Sequence, residues 1–249
     1  MKAVLSISGG MDSTCLLIKL LSKGFDVHCI SFDYGQKHKL ELKRLDENLK
    51  YIKSVLPNVP LQHTRIDLKS AMSSLHSALT SEDVEMPKGY YENENMKETV
   101  VPNRNAIFSS IIYAHALSIA KKYDTEIVIS LGVHSGDHAI YPDCRPDFYH
   151  SIMTSFCLGN WYTGNISWSL PYIDVDKAEI LRQCLEDSKK LGLDFNTLLK
   201  NTNTSYLPDD LGRADGKTGS DIERILAFYE IGRVDPVEYQ DDWETVLQN

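Results

Sequence analysis

Short apolar runs alternate with longer amphipathic stretches along this chain of 249 residues. The apolar runs predict β-strands at residues 3–7, 27–32, 61–67, 126–131 and 166–171. The amphipathic stretches predict helices at residues 13–23, 39–55, 106–122, 147–158 and 177–191. Strands that alternate with helices are typical of a parallel sheet covered on both faces. The pattern therefore predicts an α/β protein with a doubly wound parallel sheet of five strands.

The chain divides by pattern into a large first part and a short last part. We expect residues 1–200 to form the sheet domain and residues 201–249 to form a small helical C-terminal extension. One helix of the extension is predicted to continue through Glu230 with an apolar face. The apolar positions of that helix are Ile222, Ile225, Leu226 and Phe228. Residues 70–98 lack clear periodicity and are expected to form a mobile excursion over the site.

Composition excludes several classes of protein. The chain is 42% hydrophobic and 24% charged, with a formal net charge of −9, which disfavours nucleic-acid binding by the whole surface and favours a small-molecule substrate. No apolar run approaches the ~18 residues of a membrane helix, and no leader is evident, so we expect a cytoplasmic protein. Five scattered cysteines without a Cys-x-x-Cys pair indicate free thiols.

The first predicted strand runs directly into a glycine-containing loop, Ser8-Gly9-Gly10-Met11-Asp12-Ser13-Thr14, and a helix follows. Glycines let backbone N–H groups approach an anion, and a helix N-terminus favours phosphate. The glycines are adjacent and no lysine follows, so the loop is not a Walker A motif. It resembles the PP-loop of the ATP pyrophosphatases, which split ATP between the α- and β-phosphates. The resemblance implies ATP and a PP-loop (HUP-like) fold; the alternative is an ordinary glycine turn with a helix cap.

Polar clusters also follow later strands, where ligands of such sheets bind. After the second strand, Gln36, His38 and Glu41 form either a polar triad or a solvated capping arrangement at a helix start. Ahead of the 106–122 helix, Arg104 is a candidate phosphate ligand and Asn105 a candidate cap. After the fourth strand, residues 132–148 pack acids, prolines, an arginine and a thiol into one loop.

These motifs together are similar to the 7-cyano-7-deazaguanine synthase (QueC) family over nearly the whole chain. Beside the PP-loop, the matching motifs are Phe32-Asp33-Tyr34-Gly35-Gln36-x-His38, Val101-Pro102-x-Arg104-Asn105, Tyr141-Pro142-Asp143-Cys144-Arg145-Pro146 and Lys177-Ala178-Glu179-Ile180. The resemblance implies that the carboxylate of 7-carboxy-7-deazaguanine attacks the α-phosphate of ATP in the presence of Mg²⁺. Ammonia then gives the amide, and a second ATP activates the amide for dehydration to the nitrile. The family's dimers favour a homodimer.

The resemblance and the side-chain chemistry together assign a site. The nucleotide-binding residues are Ser8, Gly9, Gly10, Asp12, Ser13, Thr14, Gln36 and His38. The catalytic residues are Asp12, Ser13, Arg104 and Lys177, with Asp12 also a candidate Mg²⁺ ligand. The substrate-binding residues are Arg104, Asn105, Asp137, Tyr141, Asp143 and Arg145, the two aspartates facing the guanine-like edge. Two alternatives stay open: Lys177 as a surface lysine, and Asp143 as a helix cap.

The chain departs from the family near its C-terminus. The family forms a zinc site from a cysteine in a Thr-x-Cys-Tyr-like segment and three in a Cys-Gly-x-Cys-x-x-Cys run. The corresponding positions here are Ser205, Asp215, Thr218 and Asp221. Two hydroxyls and two carboxylates replace four thiolates poorly around a tetrahedral structural zinc ion, so we predict no zinc ligands. Asn103 also replaces an expected glycine.

These departures leave three functions open. The first is the nitrile-forming synthase without zinc. The second is a paralogue from a phage-modification or antiviral defence locus, which stops at the amide or conjugates the deazaguanine to a protein amine. The third is a catalytically dead nucleotide-binding module, against which Asp12, Arg104 and Lys177 argue. Release of pyrophosphate separates the third function from the other two.

Overall fold

A computed structural model of the chain describes residues 1–37, 39–81, 83–84, 87, 89, 94–139, 141–205, 208–209 and 211–248, with the backbone alone at 94, 95, 137 and 139. Its strands are β1 (Lys2–Ser6), β2 (Asp26–Asp33), β3 (Leu61–Asp67), β4 (Ile127–Ser130) and β5 (Ile166–Ser169). They form one parallel sheet in the order β3-β2-β1-β4-β5. The doubly wound five-stranded sheet predicted from the sequence is confirmed.

The helices lie close to their predicted positions. They are α1 (Met11–Ser22), α2 (Leu40–Val55), α3 (Lys69–Met72), α4 (Arg104–Tyr123), α5 (Pro146–Gly159), α6 (Lys177–Leu191), α7 (Phe195–Lys200), α8 (Gly219–Glu230) and α9 (Trp243–Val246). The sequence did not predict α3, α7 and α9, because helices this short carry too few turns to show a period. Within the described part of the chain, no helix combines the length and the hydropathy that a membrane crossing requires, and this includes the 20-residue helix α4.

Helices cover both faces of the sheet. Alternate residues of β1 divide between two cores, with Ala3 and Leu5 on one side and Val4 on the other, as the two-residue period of a strand requires. Helices α1, α2, α6, α7 and α8 contribute to the first core, and α4 and α5 contribute to the second. The sheet is therefore buried on both faces.

Helix α8, in the C-terminal part of the chain, packs on α6 and contributes Ala227 and Phe228 to the first core. Ile225 and Phe228 are buried as predicted, but Leu226 is 52% exposed, so its assignment to the buried face was wrong. The buried face follows positions 221, 224, 225 and 228 at helical spacing, and it includes the charged residue Arg224. A prediction of the buried face from hydrophobicity alone therefore includes the exposed Leu226 and omits the buried Arg224.

Several described residues within 70–98 are held against the protein. Ala78, Leu79 and Met96 are buried, and the backbone N–H of Ala78 donates to the carbonyl of Glu98 over 2.7 Å. These residues are packed and do not form the mobile excursion expected over the site. Positions 82, 85–86, 88 and 90–93 lie outside the described residues.

The close packing of Gly9 in the PP-loop predicts the effect of a substitution there. Gly9 has φ +98°, and a Cβ built there would lie 2.2 Å from the carbonyl oxygen of Glu41. Gly24 has φ +77° with no heavy atom within 4 Å of such a Cβ. Both alanine variants carry backbone strain, but only Gly9→Ala adds a backbone collision. We expect Gly9→Ala to lower the free energy of unfolding by about 1–3 kcal/mol more than Gly24→Ala in urea denaturation. Equal effects would contradict the close approach of Gly9 to α2.

Candidate active site

The site lies where the strand order reverses. Chain connections leave β1 and β4 in opposite directions, which opens a crevice beyond the carboxyl ends of these neighbouring strands. A cavity of about 250 Å³, called the sheet cavity here, occupies this crevice. Its lining includes Ser6, Ile7, Ser8, Gly10, Asp12, Ser13, Leu131, Gly132 and Val133. The topology thus places the PP-loop and the loop after β4 on two sides of one cavity.

Hydrogen bonds between residues of the PP-loop itself stabilise its conformation. The backbone N–H of Gly10 donates to Ser8 Oγ over 3.1 Å, and the N–H of Ser8 donates to Ser13 Oγ over 3.2 Å. Gly10 is the N-cap of α1 and makes no side-chain capping bond. The first turn of α1 therefore presents backbone donors beside two serine hydroxyls, an arrangement that suits a phosphate group.

Asp12 stands in the first turn of α1 and faces the same space. Its Oδ1 is buried without a hydrogen-bond partner among the described residues, and its Oδ2 lies 3.8 Å from His134 Nε2. The N–H of Gly136 donates to His134 Nδ1 over 3.1 Å, which leaves Nε2 to carry the proton of a neutral ring. One carboxylate with an unsatisfied oxygen fits Mg²⁺, which takes few protein ligands and completes its shell with phosphate oxygens and water.

A second cavity of about 160 Å³, called the loop cavity, adjoins the first. The two cavities share Ser8, Gly10, Asp12, Glu41, Arg104 and Cys144. Tyr141 and Lys177 also line the loop cavity. Lys177 is 7% exposed, so it is not the surface lysine of the alternative reading. The structure therefore brings the predicted residues Asp12, Ser13, Arg104, Asn105, Tyr141 and Lys177 to two adjoining cavities.

The residues at the start of α4 are fixed by neighbouring side chains. Arg104 lies with its guanidinium carbon 5.9 Å from the Tyr34 ring centre, and Asn105 Nδ2 donates to Cys144 Sγ over 3.4 Å. Asn103, where the family has glycine, is left-handed at φ +56°. Asparagine tolerates this conformation better than most residues, so it fits the left-handed turn directly before Arg104. Tyr141 Oη is within 2.7 Å of Thr99 Oγ1.

Glu41 belongs to the site, although the sequence assigned it no binding or catalytic role. Glu41 lines both cavities, and its burial raises the pKa of its carboxyl group to about 7. The amide of Gln36 donates to Glu41 Oε1 over 2.8 Å, and this bond together with the nearby Arg104 offsets part of the rise. The sequence indicated Glu41 only as one member of the polar triad after the second strand.

Other predicted residues are placed elsewhere or are not described. Gln36 is fully buried, and its side-chain NH₂ donates to Glu41 Oε1 and to the Phe32 carbonyl. Gln36 therefore holds Glu41 in place and does not line either cavity. Thr14 is also buried, and the carbonyl of Gly9 accepts a hydrogen bond from the backbone N–H of Asn203. Asp143 is half-buried and Arg145 exposed, and neither is among the residues that line these two cavities. His38 and the side chain of Asp137 lie outside the described residues.

Three of the four positions that hold zinc ligands in the family are joined by hydrogen bonds. Asp221 Oδ2 accepts from Thr218 Oγ1 over 2.7 Å and from Ser205 Oγ over 3.2 Å. Thr218 caps α8 in a capping box with Asp221. These hydroxyls are hard, neutral donors already engaged with the carboxylate, so the set does not fit a zinc ion that prefers thiolate and imidazole ligands.

A loop of this sequence between the first strand and first helix of a doubly wound parallel sheet defines a protein of the PP-loop class. Residues 2–232 match the family described as queuosine biosynthesis protein QueC, and the chain belongs to that family. A 7-cyano-7-deazaguanine synthase of Methanoregula boonei is 38% identical over 240 residues, which cover 96% of this chain and 100% of that protein. One of Alteromonas mediterranea is 41% identical over 239 residues, covering 95% of this chain and 98% of that protein.

Solved structures show a weaker likeness. A 4-thiouridine synthetase in complex with RNA and ATP matches with 15% identity and a TM-score of 0.47, and the match covers 99% of this chain and 50% of that one. A likeness at this level does not extend to function.

The buried carboxylate of Asp221 gives a prediction of pH dependence. Burial raises its pKa from the ordinary 3.8 to about 6. Because the folded pKa exceeds the unfolded one, the stabilisation is complete below pH 4 and is lost as the pH rises through 6. Between pH 5 and 7, we expect the free energy of unfolding of wild type to fall by about 1 kcal/mol relative to Asp221→Asn.

The control is Asp242→Asn, because backbone and side-chain bonds from Thr245 lower the pKa of Asp242. Asp242 therefore stays ionised in both states over this range and adds no slope. A wild-type profile parallel to that of Asp221→Asn would contradict the burial of a titrating carboxylate at this position.

The replaced ligands also predict the metal content. We expect the purified protein to carry no stoichiometric zinc and to keep its melting temperature in excess chelator, because a structural zinc site contributes folding free energy directly. Elemental analysis and thermal unfolding check both points. About one zinc per chain, or a large drop in melting temperature with chelator, would overturn the prediction.

Proposed function

We propose that this chain is an ATP-dependent carbon–nitrogen ligase that adenylates the carboxylate of 7-carboxy-7-deazaguanine and transfers the acyl group to nitrogen. The observation that carries the proposal is the convergence of Asp12, Arg104 and Lys177 on one pair of cavities beside the PP-loop. Family membership supplies the substrate, since relatives at 38–41% identity bear the name 7-cyano-7-deazaguanine synthase.

In the first step, a carboxylate oxygen of the substrate bonds to the α-phosphorus of ATP, and the bond to the β-phosphate oxygen breaks. Backbone N–H groups at the start of α1, with the hydroxyls of Ser8 and Ser13, stabilise the departing pyrophosphate. Arg104 and Lys177 place positive charge where phosphate charge develops. Bound Mg²⁺ would neutralise phosphate oxygens, and the unsatisfied Oδ1 of Asp12 is the oxygen that would hold it.

In the second step, nitrogen attacks the acyl carbon and AMP leaves. The attacking ammonia must lose a proton, and a carboxylate with a pKa near 7 is suited to accept it at neutral pH. Glu41 has that property and borders both cavities. We assign it as the general base. Amide formation followed by a second activation with ATP would complete the route to the nitrile.

The alternative product is an amide or a conjugate with a protein amine. The observation that favours it is that the region with the replaced zinc ligands also lines the loop cavity, through Asn203, Thr204 and Ser220. A change in that region therefore reaches the place where a nucleophile meets the activated acyl group. A dead nucleotide-binding module is disfavoured because the cations and Asp12 are kept together.

We also propose a homodimer. Leu158, Trp161 and Tyr162 are 84%, 87% and 79% exposed at the end of α5, next to the edge strand β5. Large apolar side chains at this exposure favour contact with a second copy. Sedimentation equilibrium of the purified chain tests this, and a monomer at micromolar concentration would contradict it.

Mass spectrometry of the products formed with ATP, ammonia and 7-carboxy-7-deazaguanine tests the function. The nitrile supports the synthase, and the amide or a protein adduct of matching mass supports the alternative. Absence of AMP, pyrophosphate and any altered deazaguanine would overturn the proposal as a whole.

Asp12→Asn tests the site. We expect pyrophosphate release to fall about 100-fold or more, because a neutral amide cannot hold a cation against the phosphates, while the melting temperature stays close to that of wild type. Asp46→Asn is the control, since Asp46 pairs with Arg65 at the surface. Undiminished release from Asp12→Asn would remove Asp12 from the chemistry.

A further inference from the structure

Lys177 forms an ion pair with a carboxylate on helix α8. Its Nζ lies 2.6 Å from Oε2 of Glu223, which is on α8, 46 residues further along the chain. Glu223 is 24% exposed, whereas Lys177 is 7% exposed. Burying an ammonium group is costly unless an anion accompanies it, and Glu223 provides that anion.

Gly136 makes the space for this carboxylate. A Cβ built at Gly136 would lie 2.3 Å from Oε1 of Glu223, and 2.9 Å from Cε1 of His134. Any larger residue at position 136 would therefore push the Glu223 carboxylate aside. The loop after β4 and helix α8 are fitted to each other at this point.

Glu223 stands on the far side of Lys177 from the PP-loop. A third cavity of about 200 Å³, called the outer cavity, is lined by Glu223 and shares His134 and Lys177 with the loop cavity. Glu223 is not among the residues lining the loop cavity or the sheet cavity. Among the described residues, its link to the candidate nucleotide site is therefore the ion pair with Lys177.

We infer that Glu223 is a positioning residue that fixes the ammonium group of Lys177 for the adenylation step. The inference rests on the proposed role of Lys177. A lysine side chain has a flexible four-carbon stem, and a displacement of about 1 Å in a catalytic group can cost on the order of 100-fold in rate. The Glu223 carboxylate, itself placed by Gly136, holds the end of that stem.

The test is the rate of pyrophosphate release with 7-carboxy-7-deazaguanine and ATP. For Glu223→Gln, we expect kcat to fall about 10- to 100-fold and the KM for ATP to change less than about threefold, since the phosphate contacts themselves remain. Glu223→Asp keeps the charge at a shorter reach and should recover part of the loss. Gly136→Ala, which leaves Glu223 in the sequence but displaces its carboxylate and also contacts His134, should lose at least as much activity.

Glu230→Gln is the matched control. Glu230 lies on the same helix and pairs with Arg182 at the surface over 2.6 Å, so we expect wild-type kinetics. Glu223→Gln kinetics equal to this control would overturn the inference. Should Glu223→Gln fail to fold, Gly136→Ala decides, and unchanged kcat in that variant overturns the inference.

Lys177→Met separates this inference from the proposed function. If Lys177→Met loses activity while Glu223→Gln and Gly136→Ala keep it, the positioning role alone is wrong. If Lys177→Met releases pyrophosphate at the wild-type rate, the assigned role of Lys177 fails, and the inference fails with it. Loss in all three variants, at an unchanged melting temperature, supports both.

Discussion

A buried ion pair holds the C-terminal part of the chain in place. Arg224 donates from Nε and Nη2 to both carboxylate oxygens of Asp235, over 2.6 and 2.9 Å, and these two residues are 2% and 4% exposed. The remaining nitrogen donates to Thr202 and Thr204. Removing one partner of such a pair typically costs about 3–5 kcal/mol, because the other charge stays buried and uncompensated. Arg224 therefore ties two separate stretches of chain, residues 202–204 and the stretch at Asp235, to α8.

The position of α8 matters because successive residues of the helix serve different parts of the site. Asp221 gathers the hydroxyls that occupy the place of the family's zinc ligands, and Glu223 reaches Lys177. The stretch that Arg224 anchors also contacts the PP-loop, since the N–H of Asn203 donates to the Gly9 carbonyl over 3.0 Å. The C-terminal extension therefore lines part of the candidate site, through Asn203, Thr204 and Ser220 in the loop cavity.

The sequence predicted the fold well and the site in part, for identifiable physical reasons. Strand and helix periods are local, so the sheet and its main helices could be inferred before the structure. The PP-loop, Arg104 and Lys177 could be placed together because parallel strands end at one edge of the sheet. The pairing of Lys177 with Glu223 could not be anticipated, since it depends on how α8 packs against α6. Leu226 was misplaced because Arg224 takes a buried position that hydrophobicity alone gives to an apolar residue.

Asp143 shows a further limit of local inference. A loop dense in acids, prolines and a thiol indicates function, but it does not tell which side chains face inward. Within the Pro142–Cys144 turn, Cys144 faces the cavities and Asp143 is half-buried beside it. The structure therefore places Cys144 at the cavities, and the substrate-binding role of Asp143 stays a prediction.

The charge arrangement of the site follows from the same packing. The chain is acidic overall, with a net charge of −9, yet two cations, Arg104 and Lys177, line the loop cavity beside the PP-loop. Each cation has a partner before any nucleotide arrives: Arg104 has the Tyr34 ring and Lys177 has Glu223. Because these partners limit the movement of the cations, less reorganisation is needed when phosphate charge develops. The C-terminal region, which has hydroxyls and carboxylates at the four replaced positions, is held against the candidate site by α8, and the position of α8 depends on Arg224 and Asp235.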